Sequence, residues 1–188
     1  MELRIAFCGA SGTGKSTIAT WLAEQLSLPF CDVGSREIAA KMGFASPYDV
    51  DRAGMRGAFQ RKLFAAKRSW EEQRPSFITD RTHLDNLAYT RIHSPEVANK
   101  DYERACVEAS SRYTHVLICP THAFHEIGAD PARVRDRDYH QHYEDDLILL
   151  LRLLPSTVQR LTLNAADLDQ RKQDVLNLLR PEAATATP

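Results

Sequence analysis

Short unbroken apolar runs alternate along this chain with longer stretches in which apolar residues recur at helical spacing. Residues 3–8 are apolar but for Arg4 and end at Gly9, the pattern of a buried strand. In 16–26, Ile18, Leu22 and Leu26 lie four apart, the stripe of an amphipathic helix. Residues 29–32 read as a second strand, and Ser35 begins a short helix that stops near Gly43. A long helix is predicted over 48–73, with Phe59, Leu63, Ala66 and Trp70 on its buried face and Pro75 ending it. A third strand, 77–79, closes at Asp80, and helical segments follow with a break at Ser94 and Pro95. The fourth strand is 115–119, stopped by Pro120. A polar, arginine-rich stretch, 125–142, leads into an apolar helix, 143–154. The fifth strand is 158–163, the last helix 167–179, and the tail 181–188 reads as disordered.

Five short strands alternating with helices imply an α/β protein whose strands are parallel, with helices on both faces of the sheet. The 188 residues suffice for one domain with a sizeable core, taken as 1–180. Formal net charge is -1, so nucleic acid would have to be held by a local patch rather than by bulk charge. Cys8, Cys31, Cys106 and Cys119 are far apart and form no CxxC pair, as expected of reduced, buried thiols. The chain runs directly into its first strand without a leader pattern. Its longest apolar run, 147–154, is interrupted by Arg152 and is too short to span a bilayer. The expectation is a cytoplasmic protein without membrane contact; a homodimer is compatible with the sequence.

Candidate chemistry is concentrated after the first strand. Gly9-Ala10-Ser11-Gly12-Thr13-Gly14-Lys15-Ser16 matches GxxxxGK[ST], between a predicted strand and a predicted helix as the motif requires. Glycines at Gly9, Gly12 and Gly14 let backbone N–H groups converge on phosphate oxygens, with Ser11, Thr13 and Thr17 beside them. The helix N-terminus adds partial positive charge. Lys15 is expected to reach the β- and γ-phosphates of ATP, and Ser16 to ligate Mg²⁺.

A phosphate loop of this kind needs a carboxylate near the metal. Asp80, ending the third strand, is the leading candidate for Mg²⁺, although Asp80 or Thr82 would also serve as a helix N-cap. Arg81 is then expected to face the phosphates or the acceptor. Asp32, at the end of the second strand, is the alternative acid and a candidate base for an acceptor hydroxyl. Arg36 and Glu37 follow on the next turn and, with Gln60 and Asp85, form the candidate acceptor set. Arg133, Arg135 and Arg137 alternate with acids in the polar stretch, the composition of a lid (about 125–142) that brings cations to a transferring phosphate. Asn164, after the fifth strand, is placed by position to border the adenine. His122/His125 and His140/His142 have ligand-like spacings, but no cysteine or acidic cluster completes a zinc set.

The order GASGTGKST, SREIAAKMGF, FITDRTHLDNLAY, arginine-bearing stretch, strand and terminal helix resembles a group of P-loop kinases carried under an AAA-domain family. These are related to the ribosylnicotinamide kinase domain of the NadR regulator and, more distantly, to deoxynucleoside and nucleotide monophosphate kinases. The likeness covers about residues 1–180 and is carried most specifically by Asp80, Arg81, Asp85, Asn86, Ala88 and Tyr89. It implies a five-stranded sheet in the order 2-3-1-4-5, Mg-ATP, an acceptor site over the helix between strands two and three, and a lid after strand four. Deoxynucleoside kinases carry a catalytic glutamate after strand two; here that place holds Asp32, which leaves open whether Asp32 or Asp80 is the base. The arginine finger and helical lid domain of a remodelling ATPase have no counterpart.

Three functions compete. The first is a kinase for a nucleoside- or nucleotide-type acceptor. The second is a kinase for a hydroxymethylated base within DNA, and the third an ATP-binding switch with no small acceptor. Arg52, Arg56, Arg61, Lys62, Lys67 and Arg68 follow the single acid Asp51 along the long helix, either as a solvated face or as a path for a phosphate-bearing acceptor. The overall charge and the chain length favour the small acceptor over DNA.

Overall fold

In the computed structural model, which describes residues 2–123 and 136–179, the five apolar runs pair as one parallel sheet. The strands are β1 (Arg4–Cys8), β2 (Phe30–Cys31), β3 (Phe77–Asp80), β4 (His115–Ile118) and β5 (Gln159–Thr162), in the order β2-β3-β1-β4-β5. Between them run α1 (Lys15–Leu26), α2 (Ser35–Lys41), α3 (Pro47–Arg52), α4 (Arg56–Glu72), α5 (His83–His93), α6 (Lys100–Ser110), α7 (Arg137–Leu151) and α8 (Leu168–Leu179). The three-layer P-loop fold and its strand order are as the sequence implied.

Alternation along β1 sorts the core. Ile5 and Phe7 face one side, where Ile18 and Leu22 of α1 and Val175 of α8 cover them. Ala6 and Cys8 face the other, against Leu84, Leu87, Tyr143, Leu147 and Leu150. A smaller cluster of Ile38, Ala39, Val50 and Phe59 joins α2, α3 and α4. All four cysteines are free and buried. Among the described residues, no helix is long and apolar enough to cross a membrane.

Two predicted elements are corrected. The single helix over 48–73 is two, because the chain turns at Gly54 with φ +66°, in the left-handed region that favours glycine. The apolar helix placed at 143–154 starts earlier, at Arg137. Asp136 caps it by accepting from the backbone N–H groups of Asp138 (2.9 Å) and Tyr139 (3.3 Å). Residues 137–142, read as lid, are therefore the first turns of α7. Arg133 and Arg135, the remainder of the expected lid and the tail 181–188 lie outside the described residues.

The carboxyl ends of β1, β2 and β3 open on one edge of the sheet, where a parallel α/β architecture places its ligands. Gly9 turns the chain there. Its φ is +130°, and a Cβ would stand 2.3 Å from the Cys119 carbonyl oxygen, so no larger residue fits.

Candidate active site

A cleft of about 800 Å³ runs across this edge, from the loop between β1 and α1 to the helices α3, α4 and α7. Gly14 precedes α1 as its N-cap in the left-handed region, so the first free N–H groups of α1 face the loop. Lys15 is 4% exposed, and its ammonium is folded onto the Ala10 carbonyl and the Thr13 hydroxyl (3.1 Å). Burial, with the Arg81 charge, lowers its pKa.

Ser16 donates its hydroxyl hydrogen bond to Asp80 Oδ2. Asp80 Oδ1 is buried without a hydrogen-bond partner. Burial alone would raise the Asp80 pKa, but the Lys15 and Arg81 cations outweigh it and hold the carboxyl below its ordinary value. An ionised carboxylate with a spare oxygen, beside a loop serine, is the donor chemistry a Mg²⁺ ion takes. Ser16 and Asp80 thus fit the metal expected of them.

Arg81 is held in the left-handed region at φ +77°, uncommon for a residue with a side chain. Its guanidinium donates to the Gly9 carbonyl (3.3 Å), Ser11 Oγ (3.2 Å) and Tyr143 Oη (3.2 Å), and lies over the Tyr89 ring. Arg81 therefore braces the phosphate loop from the α5 side while lining the cleft.

Asp85 does not face the acceptor as expected. It is fully buried and lines no part of the cleft. Its carboxylate accepts from Thr82 N–H (2.7 Å), Thr82 hydroxyl (2.6 Å), Tyr143 hydroxyl (2.5 Å) and Gly9 N–H (3.2 Å). The reason is local: Thr82 and Asp85 form the capping box of α5, and Thr82 rather than Asp80 is the N-cap. Asp85 thereby ties α5 to the first residue of the phosphate loop.

The other candidates divide. Ser11, Gly12, Thr13, Gly14, Thr17, Asp32, Arg36 and Gln60 line the cleft together with Lys15, Ser16, Asp80 and Arg81. Glu37 is not on its wall; it pairs with Lys41 at 2.5 Å on the outer face of α2. Asn164 is exposed after β5 and does not line the cleft. Arg137, exposed in the first turn of α7, also does not.

The end of the cleft away from the phosphate loop holds residues outside the candidate set. Tyr48, Phe59, Phe64, Tyr89 and Tyr139 supply aromatic walls. Asn86 Nδ2 donates to Gln60 Oε1 at 2.8 Å, and Tyr102 anchors Asn86 from behind. Lys67 and Glu71 are buried on α4 and form an ion pair at 3.3 Å. Their signal was the spacing of four that continues Phe59 and Leu63. Arg171 of α8 is buried and donates to the Thr13 carbonyl at 2.8 Å, supporting the phosphate loop from the opposite face.

Comparison with known proteins places the chain. Its sequence matches the AAA domain family over residues 4–171. The chain belongs to that family. A search of curated proteins found no match. Among solved structures it is similar to a deoxyadenosine kinase from M. mycoides with dCMP and a flexible dCDP bound, at 14% identity and TM-score 0.64, over 94% of this chain and 98% of that one. It is also similar to a NadR protein in complex with NR, at 13% identity and TM-score 0.68, over 94% of this chain and 49% of that one. A thymidylate kinase from Ehrlichia chaffeensis matches at 17% identity and TM-score 0.60, over 95% and 99%. At such identities the likeness is one of fold, and the fold is that of the P-loop kinases.

Proposed function

We propose that this chain is a phosphotransferase that moves the γ-phosphate of Mg-ATP to a small nucleoside- or nucleotide-type acceptor. The observation that carries the reading is the two-ended cleft. One end is the phosphate loop with Lys15, Ser16 and Asp80; the other is an aromatic compartment with the Gln60–Asn86 amide pair. A nucleotide switch needs only the first end. A planar, polar-edged acceptor is what the second end suits.

In this reading the α1 N-terminus and the loop N–H groups cradle the phosphates. Lys15 leaves its carbonyl partner to reach the β- and γ-oxygens, while Ser16 and Asp80 hold Mg²⁺, which neutralises charge on the phosphates when bound. Asp32, exposed at the end of β2 and on the cleft wall, is the group that accepts the proton of an acceptor hydroxyl. Asp80 is engaged by Ser16 and suits the metal better than the base.

The basic helix gives DNA little to hold. Arg52 pairs with Asp49, Arg56 with Asp51, Lys67 with Glu71 and Arg68 with Glu72. Arg61 and Lys62 are left without an ion pair among the described residues. Two such cations give few phosphate contacts, whereas binding to duplex DNA through the backbone draws on many.

The test is transfer from γ-labelled ATP to a panel: deoxyadenosine, thymidine, nicotinamide riboside, thymidylate, shikimate and duplex DNA carrying 5-hydroxymethyluracil. A labelled nucleoside or nucleotide is the expected product. Label on DNA alone would overturn the acceptor class, and ATP binding without transfer to any member would leave the switch reading in its place.

A further inference from the structure

Lys67 bonds to no residue of the phosphate loop, although its charge helps to hold the Asp80 carboxyl down; it is a buried lysine, 5% exposed, on a cleft also lined by Cys31, Asp32, Gln60 and Phe64. An ammonium has three N–H donors. One goes to the Thr79 hydroxyl on β3, which itself leans toward the Arg81 carbonyl at 3.5 Å. Glu71 is its ion-pair partner at 3.3 Å. Glu71 is held in turn by the His83 ring at 2.8 Å and the Tyr113 hydroxyl at 3.1 Å. Thr79 on β3 accepts from the ammonium and Glu71, itself braced from α5 and from the segment before β4, is its ion-pair partner, which leaves its third N–H with no protein acceptor among the described residues.

Packing alone does not account for a charge here. Desolvating an ion pair is costly, and apolar residues of similar volume usually serve a buried position as well or better. Phe59, two turns earlier on the same stripe of α4 and 1% exposed, does so. We propose that Lys67 is an acceptor-binding residue: its third N–H donates to an uncharged oxygen of the acceptor, at the end of the cleft bounded by Asp32 and Gln60. Glu71 balances the charge of Lys67, and Asp51 that of Arg56, so these two cations carry no surplus charge for a phosphomonoester. The acceptor group that Lys67 suits is therefore an uncharged hydroxyl or carbonyl oxygen, of the kind a nucleoside carries. This inference rests on the phosphotransferase reading.

The experiment replaces the ion pair as a unit, Lys67→Met with Glu71→Gln, so that no lone charge is left buried and the introduced amide keeps an oxygen for His83 and Tyr113. Steady-state kinetics use deoxyadenosine, or whichever nucleoside of the panel the wild type phosphorylates fastest. The acceptor KM is expected to rise at least about tenfold, the loss of one charge-assisted hydrogen bond, while the ATP KM stays within about twofold. An unchanged acceptor KM, or a parallel rise in both KM values, overturns the proposal. Should the double variant not fold, side-chain ¹⁵N spectra of the lysine-labelled wild type decide instead. Lys15 and Lys67 are the buried lysines among the described residues, and the Lys67 signal is the one that survives Lys15→Ala. That signal is expected to move on adding the nucleoside and not on adding ATP; a signal that stays put overturns the proposal. Failure of the wild type to phosphorylate any panel member contradicts the phosphotransferase reading and this inference with it. Transfer with an unchanged acceptor KM overturns this inference alone.

Discussion

Two aspartates at the ends of neighbouring strands carry different environments, and the different work proposed for them rests on that difference. Asp80 sits between Lys15 and Arg81, with one oxygen on Ser16 and the other buried without a partner. Asp32 is exposed on the cleft wall. Asp80→Asn is therefore expected to raise the Mg²⁺ concentration needed for transfer and to regain part of its activity at high Mg²⁺. Asp32→Asn is expected to lower kcat on the order of a hundredfold, the usual worth of a positioned base, with the Mg²⁺ requirement unchanged. Titrating both variants with Mg²⁺ checks this, and the reverse pattern would exchange the two roles. The loop motif and Asp80 were legible in the sequence because their chemistry is tied to fixed spacing after a strand. Asp85 was misread because a carboxylate near a phosphate loop has two uses. Only the capping box with Thr82 and the bond from Tyr143, fifty-eight positions away, show which one it serves.

At the scale of elements, the strands were readable as apolar runs and α1 and α8 as amphipathic stripes, but the starts of α4 and α7 were not. The continuous apolar face over 48–73 hid the turn at Gly54. The polar residues before Tyr143 hid the first turns of α7, because the capping Asp136 stands among other acids. Those turns matter, since Tyr139 and His140 line the cleft and His93 of α5 bonds the Tyr139 hydroxyl at 2.8 Å. Asp136→Ala removes the cap and is expected to cost about 1 kcal/mol of stability. It is also expected to raise the acceptor KM severalfold with little change for ATP, because fraying moves Tyr139 and leaves α1 untouched. Chemical denaturation alongside steady-state kinetics would measure both; wild-type values of each would show that the first turn of α7 is held by other contacts. Lys67 was read only as one of a run of basic residues and Glu71 was not singled out, for a related reason. Charges that continue an apolar stripe look like its solvent edge until a partner such as His83 or Tyr113 is brought over them by the fold.

For the whole molecule, buried titratable groups set a pH window of stability. Burial raises the thiols, Cys106 to about 12 and Cys119 to about 11 from an ordinary 9.0, and Cys8 and Cys31 in the same direction. A thiol raised on folding contributes stability that is complete below the unfolded pKa and is lost as pH rises toward the folded one. Tyr113 and Tyr143 act with the same sign, and Lys15, lowered by burial, with the opposite sign. At the acid end, Glu71 and Asp80 lie below their ordinary 4.5 and 3.8, because their cation partners outweigh burial; that contribution is lost as pH falls through the folded values. The melting temperature is expected to be flat from about pH 5 to 8, to drop below about pH 4, and to drop again above about pH 9. A melting temperature still level at about pH 10.5 would contradict the raised thiols. In the proposed function the cleft works as one unit, with the phosphate loop at one end and the acceptor compartment at the other. Transfer of label from γ-labelled ATP to the nucleoside and nucleotide panel, by the wild type and by Lys15→Ala side by side, tests this most directly. A labelled acceptor is expected from the wild type. In Lys15→Ala a loss on the order of a thousandfold is expected with the fold intact, about 4 kcal/mol of barrier. Transfer by Lys15→Ala within about tenfold of the wild type would contradict it.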